Sequence, residues 1–427
     1  MICLSADNRK WLAMAFTILL LLSCSGGSDS DTVEPTPNDG PSVLNIYVYA
    51  PGQAVPTRGN EGEVKADPET EENAIHTLQI WVFTHEETPS LVTYFMTNSF
   101  TPVANTDTYK FELPIDDTYA STPAGSRQPV DVYVLANVAA NNCGLTLNET
   151  TTKAQLEAAV IGESYFGLTT PVTEVPSDGL PMSGALREQT VTGTKPVLTI
   201  RPSSESNKMA AVKLARAVSK VRFVFSCSTD FDGLKITKAT FNEEMIPTQE
   251  YLFLKAQQEY SPEQNYYHLD DTPTYNAAET SPLVTVDETA ICTNPAHYAW
   301  DRLITDQPTS TAQDYEDLIK EGLTIQTGET TPRLTERRLY LRESDKQLAG
   351  KIYYKVKNKG EADYGDEQQK EFEMVPPEGE TPWTHDFSRN HTWIVYSYLA
   401  WANMRIVDVH FSDWVVTDPG EHPIYNW

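Results

Sequence analysis

Short runs in which apolar and polar residues alternate recur along the chain, and they constrain its fold more than any other feature. In the first run, VLNIYVY at 43–49, Leu44, Ile46 and Val48 fall on one face of an extended strand. Similar runs follow at 76–83, 129–137, 219–226 and 404–411. The chain also carries 21 Tyr and 8 Trp, and both residue types are enriched in strands. The pattern predicts an all-β protein.

Two segments interrupt this series of strands. Thr152 and Gln155 form a capping box ahead of an apolar stripe, which predicts one short helix. The polar stretch RPSSESNK at 201–208 carries no strand pattern and predicts a boundary between two domains. We therefore expect an N-terminal domain at 59–200 and a C-terminal domain at 208–427.

The first residues have the composition of a lipoprotein signal peptide. An apolar run at 11–22 follows two basic residues and is too short for a typical membrane-spanning helix. The sequence LLSC at 21–24 looks like a lipobox, which predicts a signal peptide at 1–23 and a lipid on Cys24. Residues 24–42, rich in Ser, Gly, Asp and Pro, predict a disordered tether. The alternative is an ordinary signal peptide with a chance cysteine, and both interpretations predict export.

The loop after the first strand predicts a protease site. A Pro-Gly pair ends the strand, and Arg58 precedes Gly59 in a polar stretch that extends to Glu72. Such a stretch is expected to be solvated and accessible to a protease. Cleavage after Arg58 would separate the strand segment 43–58 from the rest of the chain. The alternative is that Arg58 is an ordinary exposed arginine.

Charge and motif content exclude several classes of function. With 60 acidic and 32 basic residues the net charge is −28, which argues against nucleic acid as a partner. The eight histidines form no metal-binding motif, and no phosphate loop, dinucleotide fingerprint or nucleophile elbow is present. We therefore expect no cofactor, no metal and no enzymatic activity.

Three cysteines and one irregular region leave alternatives open. Cys143, Cys227 and Cys292 follow the leader, so at most one disulfide can form within the mature chain, and three small buried residues are the simpler expectation. The region 257–330 lacks a persistent period and carries several tyrosines. It predicts either a solvated insertion or a loop that binds a glycan or a protein.

The C-terminal segment, 404–427, is strongly patterned. Val407, Val409 and Phe411 share one face of a strand, and Trp414 is the next large apolar residue after a shift of phase near Asp413. The chain remains aromatic to its last residue, unlike a disordered tail. This strand belongs either to its own sandwich or to a neighbouring molecule.

The order of these features resembles the Bacteroidales fimbrillin family, the type V pilins. The resemblance runs from the lipobox at Cys24 through the first strand and the Thr-Arg pair that ends at Arg58. It continues with IWVF at 80–83, VYVLAN at 132–137, LPMSG at 180–184, ARAVSKVRF at 215–223, Arg389-Asn390-His391 and VDVHFSDW at 407–414. No single motif is specific, so the likeness rests on their order and spacing.

The resemblance implies two transthyretin-like β-sandwich domains in tandem and a route of assembly. A lipoprotein anchored in the outer membrane through Cys24 is cut between Arg58 and Gly59 by an arginine-specific or trypsin-like protease. Loss of the propeptide strand, with Leu44, Ile46 and Val48, leaves a groove. A neighbouring subunit then fills that groove with its own donor strand within 404–427.

The expected donor residues are Val407, Val409, Phe411 and Trp414, and the expected product is a cell-surface fimbria that supports adhesion and biofilm. Its partners would be other fimbrial subunits and a host protein or glycan. The alternatives are a fimbrial anchor that keeps its lipid, and a tip adhesin or surface glycan-binding lipoprotein.

Overall fold

The computed structural model describes part of the chain. The described residues are 42–49, 70–102, 108–116, 129–139, 143–162, 165–167, 172–194, 197–201, 211–227, 231–242, 244–253, 321–322, 324, 327, 334–344, 346–374, 387, 389–400 and 403–413.

The N-terminal half consists of strands with short helical segments between them. The strands are β1 (Val43–Tyr49), β2 (Leu78–Thr84), β3 (Leu91–Thr97), β4 (Thr108–Pro114), β5 (Val130–Ala136), β6 (Val160–Ile161), β7 (Met182–Thr194), β8 (Val197–Arg201), β9 (Ala211–Lys213) and β10 (Ala215–Arg216). A 3-10 turn spans Thr70–Asn73, and helix α1 spans Lys153–Glu157 behind the Thr152–Gln155 capping box.

These strands form two layers that share β7. One layer has the order β8-β1-β4 with β9 beside β1, and the other has the order β3-β2-β5-β7 with β10 beside β7. The long strand β7 pairs with β5 through its first part and with β8 through its last part, so it crosses between the layers. Apolar residues of both layers, among them Ile46, Ile80 and Val132, are buried together between them. The result is a β-sandwich.

A second sandwich follows along the chain. Its strands are β11 (Ser219–Cys227), β12 (Phe231–Phe241), β14 (Thr335–Leu341), β15 (Ala349–Asn358), β16 (Gln368–Glu373), β17 (His391–Ala400) and β18 (Asn403–Asp413). The short strand β13 (Glu250–Tyr251) follows β12 in the chain but belongs to neither layer. The layers are β14-β11-β17-β18 and β12-β15-β16. Phe223, Ile352 and Trp393 belong to the core between them.

A third apolar cluster joins the two sandwiches. Trp81 and Tyr133, on the outer face of the β2–β5 layer, pack with Leu156 of α1 and with Val218 and Tyr340 of the following part. Strand β13 also pairs with β6. The first sandwich includes β9 and β10, which follow the stretch at 201–208, and the described residues of 41–427 pack as one compact unit.

The predicted all-β fold with a short helix is confirmed. Alternation in the run at 219–226 predicts a strand with one buried face, and this is wrong, because Lys220 and Arg222 on the other face of β11 are buried as well. Each is paired with a carboxylate, at 2.7 Å from Glu72 and 3.0 Å from Glu336, which makes their burial tolerable. Within the described ranges, no helix is long and apolar enough to cross a membrane.

Candidate strand-exchange site

Strand β1 lies in the interior of its layer. Along one side it pairs antiparallel with β4 over all seven of its residues. Along the other side it runs parallel to β8 in its first half and to β9 in its second half. At its two ends, Ile115 N–H donates to Ser42 O (2.9 Å) and Leu214 N–H donates to Tyr49 O (3.0 Å). Both edges of β1 are therefore hydrogen-bonded to strands that come later in the chain.

The inward face of β1 is part of the sandwich core. Leu44, Ile46 and Val48 are at most 2% exposed, and Phe111 and Leu113 of β4 belong to the same cluster. Burial stabilises a side chain of this size by about 1.5–3 kcal/mol, so the three together contribute roughly 5–9 kcal/mol. Removal of β1 would expose an apolar slot that crosses the layer.

Two neighbouring strands depend on β1 for their place in the layer. Among the described strands, β4 and β9 each pair with β1 alone. Strand β8 has a second partner, because it also pairs with β7. A strand that replaces β1 must therefore bind β4 on one side and both β8 and β9 on the other.

The predicted processing residues lie outside the described residues. These are the lipidation residue Cys24, the cleavage pair Arg58 and Gly59, and the donor residue Trp414. The first described residue after β1 is Thr70, at the start of the 3-10 turn.

The predicted donor strand is an edge strand of the second sandwich. Strand β18, which contains Val407, Val409 and Phe411, pairs antiparallel with β17 along its length. The register shifts at Val407, since Tyr396 lies opposite Asp408 and Ser397 opposite Ile406. This shift lies nearer the start of the strand than the phase change predicted around Asp413. The structure does not bring β18 and β1 together.

The prediction that the polar stretch is solvated as far as Glu72 is wrong for Glu72 itself. Its side chain is fully buried, and its carboxylate accepts hydrogen bonds from Lys220 Nζ (2.7 Å) and Tyr340 OH (2.6 Å). Burial alone would raise the pKa of Glu72, but Lys220 and Tyr340 hold the pKa below its ordinary value. Glu72 is therefore a buried carboxylate whose ionised form is stabilised by Lys220 and Tyr340.

Arg216 completes this buried cluster from the other side. It donates to Glu72 O (3.1 Å) and to Asn73 Oδ1. Asn390 Oδ1 accepts from both the backbone N–H (3.2 Å) and Nη1 (3.1 Å) of Arg216. Asn390 adopts a left-handed backbone conformation (φ 59°), which is uncommon outside glycine but tolerated by asparagine. The only hint of this cluster in the sequence is the presence of basic residues within the apolar run ARAVSKVRF.

Asn137 fixes the next residues of the same segment. Its Oδ1 accepts from His76 N–H (2.7 Å), and its Nδ2 donates to Ala74 O (2.8 Å) and Leu180 O (2.9 Å). Like Asn390, it has a left-handed conformation (φ 58°). The segment from Glu72 to Thr77 is thus attached at several points directly after the loop that follows β1.

The described residues contain no group of three or more His, Cys, Asp or Glu that could hold a metal ion. Cys143 is a free thiol and is buried, and burial raises its pKa. The region 257–330, where a binding loop was predicted, lies outside the described residues except for 321–322, 324 and 327.

Comparison with known proteins finds a family match that includes β1. Residues 43–216 match the family of the major fimbrial subunit protein (FimA). No curated protein matches the chain. The solved structures that match this chain include the tip fimbrial protein Mfa3 from Porphyromonas gingivalis with a C-terminal truncation. It is 13% identical, with a TM-score of 0.43, and the match covers 88% of this chain and 100% of that one. Another is a fimbrial assembly protein from Parabacteroides distasonis (11% identity, TM-score 0.37), where 86% of this chain covers 94% of that one.

The matched region corresponds to the first sandwich. It begins at the first residue of β1 and ends at the last residue of β10, so it contains β1 and every described strand that pairs with β1. Residues 43–216 match the family of the major fimbrial subunit protein (FimA), in agreement with the resemblance to fimbrial subunits predicted from the order of sequence features.

Proposed function

We propose that the chain is a structural subunit of a cell-surface fimbria, exported as a lipoprotein on Cys24, cut between Arg58 and Gly59, and polymerised by donor-strand exchange. Its fimbria serves adhesion and biofilm formation. The position of β1 carries the proposal: it is a buried interior strand whose covalent link to the rest of the sandwich is the segment 50–69.

Cleavage between β1 and the rest of the sandwich removes the covalent link that keeps β1 next to its slot. While the loop is intact, β1 is held at a high effective concentration next to its slot. After cleavage, its departure is no longer opposed by the covalent link. An empty slot exposes apolar side chains and unpaired backbone groups of β4, β8 and β9, which favours pairing with another strand. In donor-strand complementation, a strand from another subunit covers the apolar side chains and pairs with the free backbone groups.

The proposed donor is the segment 404–427 of a neighbouring subunit. Strand β18 has eleven residues and β1 has seven, so β18 is long enough to replace it. Burial of Val407, Val409, Phe411 and Trp414 would contribute roughly 6–12 kcal/mol before the costs of association. Donation requires β18 to leave β17. Because each donor fills the next acceptor, the contact does not close on itself and the product is a filament.

The partners of the subunit follow from this route. Before cleavage it is held in the outer membrane by the lipid on Cys24, and an arginine-specific or trypsin-like protease releases it from the segment that carries the lipid. Its later partners are other fimbrial subunits, and the assembled fimbria presents it at the cell surface to a host protein or glycan. The role is structural and requires no catalysis.

A tip adhesin is the second candidate, and one observation favours it. Strand β18 already pairs with β17 along its length, as expected of a subunit that accepts a donor strand but keeps its own C-terminal strand. Such a subunit would stand at the end of a fimbria, where its exposed loops contact a host protein or glycan.

Variants of the donor strand separate these roles. In cells that express the full chain, deletion of Asp408–Trp427 should leave export intact and abolish the ladder of polymer on a mildly denaturing gel. Val409→Asp, on the proposed donor face, should do the same, whereas His410→Asp on the opposite face should retain the ladder. Unchanged ladders in the deletion variant would refute donation and favour the tip adhesin.

A further inference from the structure

Strand β9 forms part of one wall of the slot around β1. Among the described strands it pairs with β1 alone, so the departure of β1 removes its only ladder. Its Val212 side chain is fully buried in the sandwich core. If β9 moved into the empty slot, a donor strand would lose its pairing partner beside the second half of the slot, and β4 and β8 alone would remain.

The residues directly after β9 provide the attachment that remains. Arg216, in β10, is fully buried and is held by Asn390 and by the segment that contains Glu72. Strand β10 itself pairs with β7, with Ala215 opposite Ser183 and Arg216 opposite Met182. None of these contacts involves β1, so they persist when β1 leaves.

Gly184 of β7 brings β9 close to the neighbouring backbone. A Cβ atom at this position would collide with the carbonyl oxygen of Lys213, and the next nearest atom would be a side-chain carbon of Val212. Strand β9 therefore lies directly against the β7 backbone at Gly184. This contact also survives the loss of β1, because both strands remain in the chain after cleavage.

The same cluster secures the new end of the cleaved chain. Glu72 and Asn73 are the last residues of the 3-10 turn that follows the proposed cleavage loop. Glu72 is bound to Lys220 and Tyr340, and Asn73 to Arg216. A buried charge that loses its partner is strongly unfavourable, so displacement of Glu72 would leave Lys220 and Arg216 without their main counter-charge.

We propose that Glu72, Asn73, Arg216, Lys220, Tyr340 and Asn390 form a lock, called here the Glu72 lock, that keeps β9 in position while the slot is empty. The inference rests on the proposed strand exchange and names the residues that position the acceptor for it. The lock links two parts that lose support after cleavage. These are the new N-terminal segment that contains Glu72 and Asn73, and strand β9, which was paired with β1.

A peptide-exchange assay tests the lock. The full chain with its donor deleted is cleaved with a trypsin-like protease, and a fluorescent peptide of residues 404–416 is added. Mass spectrometry measures release of β1, and anisotropy measures uptake of the peptide. Glu72→Gln should lower the rate of uptake by at least about tenfold, equivalent to about 1.4 kcal/mol, with β1 released as in the unmodified protein.

Glu336→Gln is the matched control. Glu336 is also a buried carboxylate, paired with Arg222 (3.0 Å) and Arg338 (2.6 Å), but it lies on β14 of the second sandwich. Glu336→Gln should lower the stability of the protein without slowing uptake of the peptide more than about twofold, because Glu336 does not hold β9. Equal slowing by Glu336→Gln and Glu72→Gln would overturn the lock, since general destabilisation would then explain both.

Hydrogen exchange gives a second readout that loss of stability alone would not reproduce. Ala217 N–H donates to Pro181 O (2.8 Å), so the amides at 215–217 should stay protected after β1 leaves. In Glu72→Gln they should lose protection in the cleaved protein and retain it in the uncut protein. If Glu72→Gln does not fold, Tyr340→Phe removes one hydrogen bond from Glu72 and should act in the same direction more weakly.

The outcomes separate the lock from the function on which it rests. If β1 is not released or the peptide does not bind even in the unmodified protein, strand exchange itself is refuted. If exchange occurs and Glu72→Gln changes neither uptake nor the protection of 215–217, the lock is refuted and strand exchange stands.

Discussion

Replacement of a buried β1 residue should weaken the precursor and leave the assembled fimbria unaffected. Ile46 is 2% exposed and lies in the core between the two layers. An Ile→Ala substitution at such a site costs about 2–5 kcal/mol, through lost burial and the cavity that remains. We therefore expect Ile46→Ala to lower the free energy of unfolding of the uncut subunit by that amount. If β1 is absent from the mature subunit, the cost disappears on assembly.

Ile200→Ala is the matched control, because it changes the same residue type at the same burial in β8, which remains in the mature chain. Urea denaturation of the uncut monomer should show a similar loss for both variants. The dissociation temperature of purified polymer should fall for Ile200→Ala and stay unchanged for Ile46→Ala. A polymer weakened equally by both substitutions would refute the removal of β1.

Three further predictions concern the frame around the slot. Gly184→Ala should lower the free energy of unfolding by about 1–3 kcal/mol in a urea titration, because the added Cβ collides with the Lys213 backbone. Gly162→Ala is the control: a Cβ there meets nothing within 4 Å, so the same titration should show a change of less than about 0.5 kcal/mol. Asn137→Ala should cost about 1–3 kcal/mol, since buried partners lose hydrogen bonds, and hydrogen exchange at 74–77 should accelerate. Burial raises the pKa of Glu250 to about 8 from 4.5, so the folded protein keeps a proton that the unfolded chain loses, and stability should fall as pH rises from about 4.5 to 8. The thermal unfolding midpoint of Glu250→Gln should therefore fall less over this pH range. An identical fall in both proteins would show that Glu250 is not the group responsible.

Alternation in the sequence was sufficient to predict β1 and the face that it buries. The run at 43–49 has the bounds of the observed strand, and Leu44, Ile46 and Val48 point into the core. A period of two residues identifies a strand and its inward face, but it carries no information about neighbours. Strand β1 lies between β4 on one side and β8 and β9 on the other. This order depends on contacts between distant segments, which no local pattern can predict.

The burial of Glu72 shows why local composition misled the prediction. Glu72 ends an acidic stretch, which favours a solvated loop. Its partners Lys220 and Tyr340 lie 148 and 268 residues further along the chain. The sequence showed basic residues inside an apolar strand but could not identify the carboxylate that compensates them. The role of Asn390, within the Arg389-Asn390-His391 motif, could not be predicted for the same reason, because its side chain accepts hydrogen bonds from the distant Arg216.

The position of β18 could not be settled from its pattern for a related reason. Strands that exchange between molecules and strands that stay in their own sandwich need the same alternating apolar face. Val409 and Phe411 satisfy both requirements. In the single chain β18 pairs with β17, and assembly would exchange that ladder for one along β4, β8 and β9 of a neighbour.

Removal of β1 is the central claim, and the intact mass of subunits isolated from surface polymer tests it most directly. We predict a mature species that begins at Gly59 and lacks both Cys24 and the strand 43–49. A polymerised species that begins at Cys24, carries its lipid and retains β1 would contradict the claim and favour an anchor that keeps its own strand.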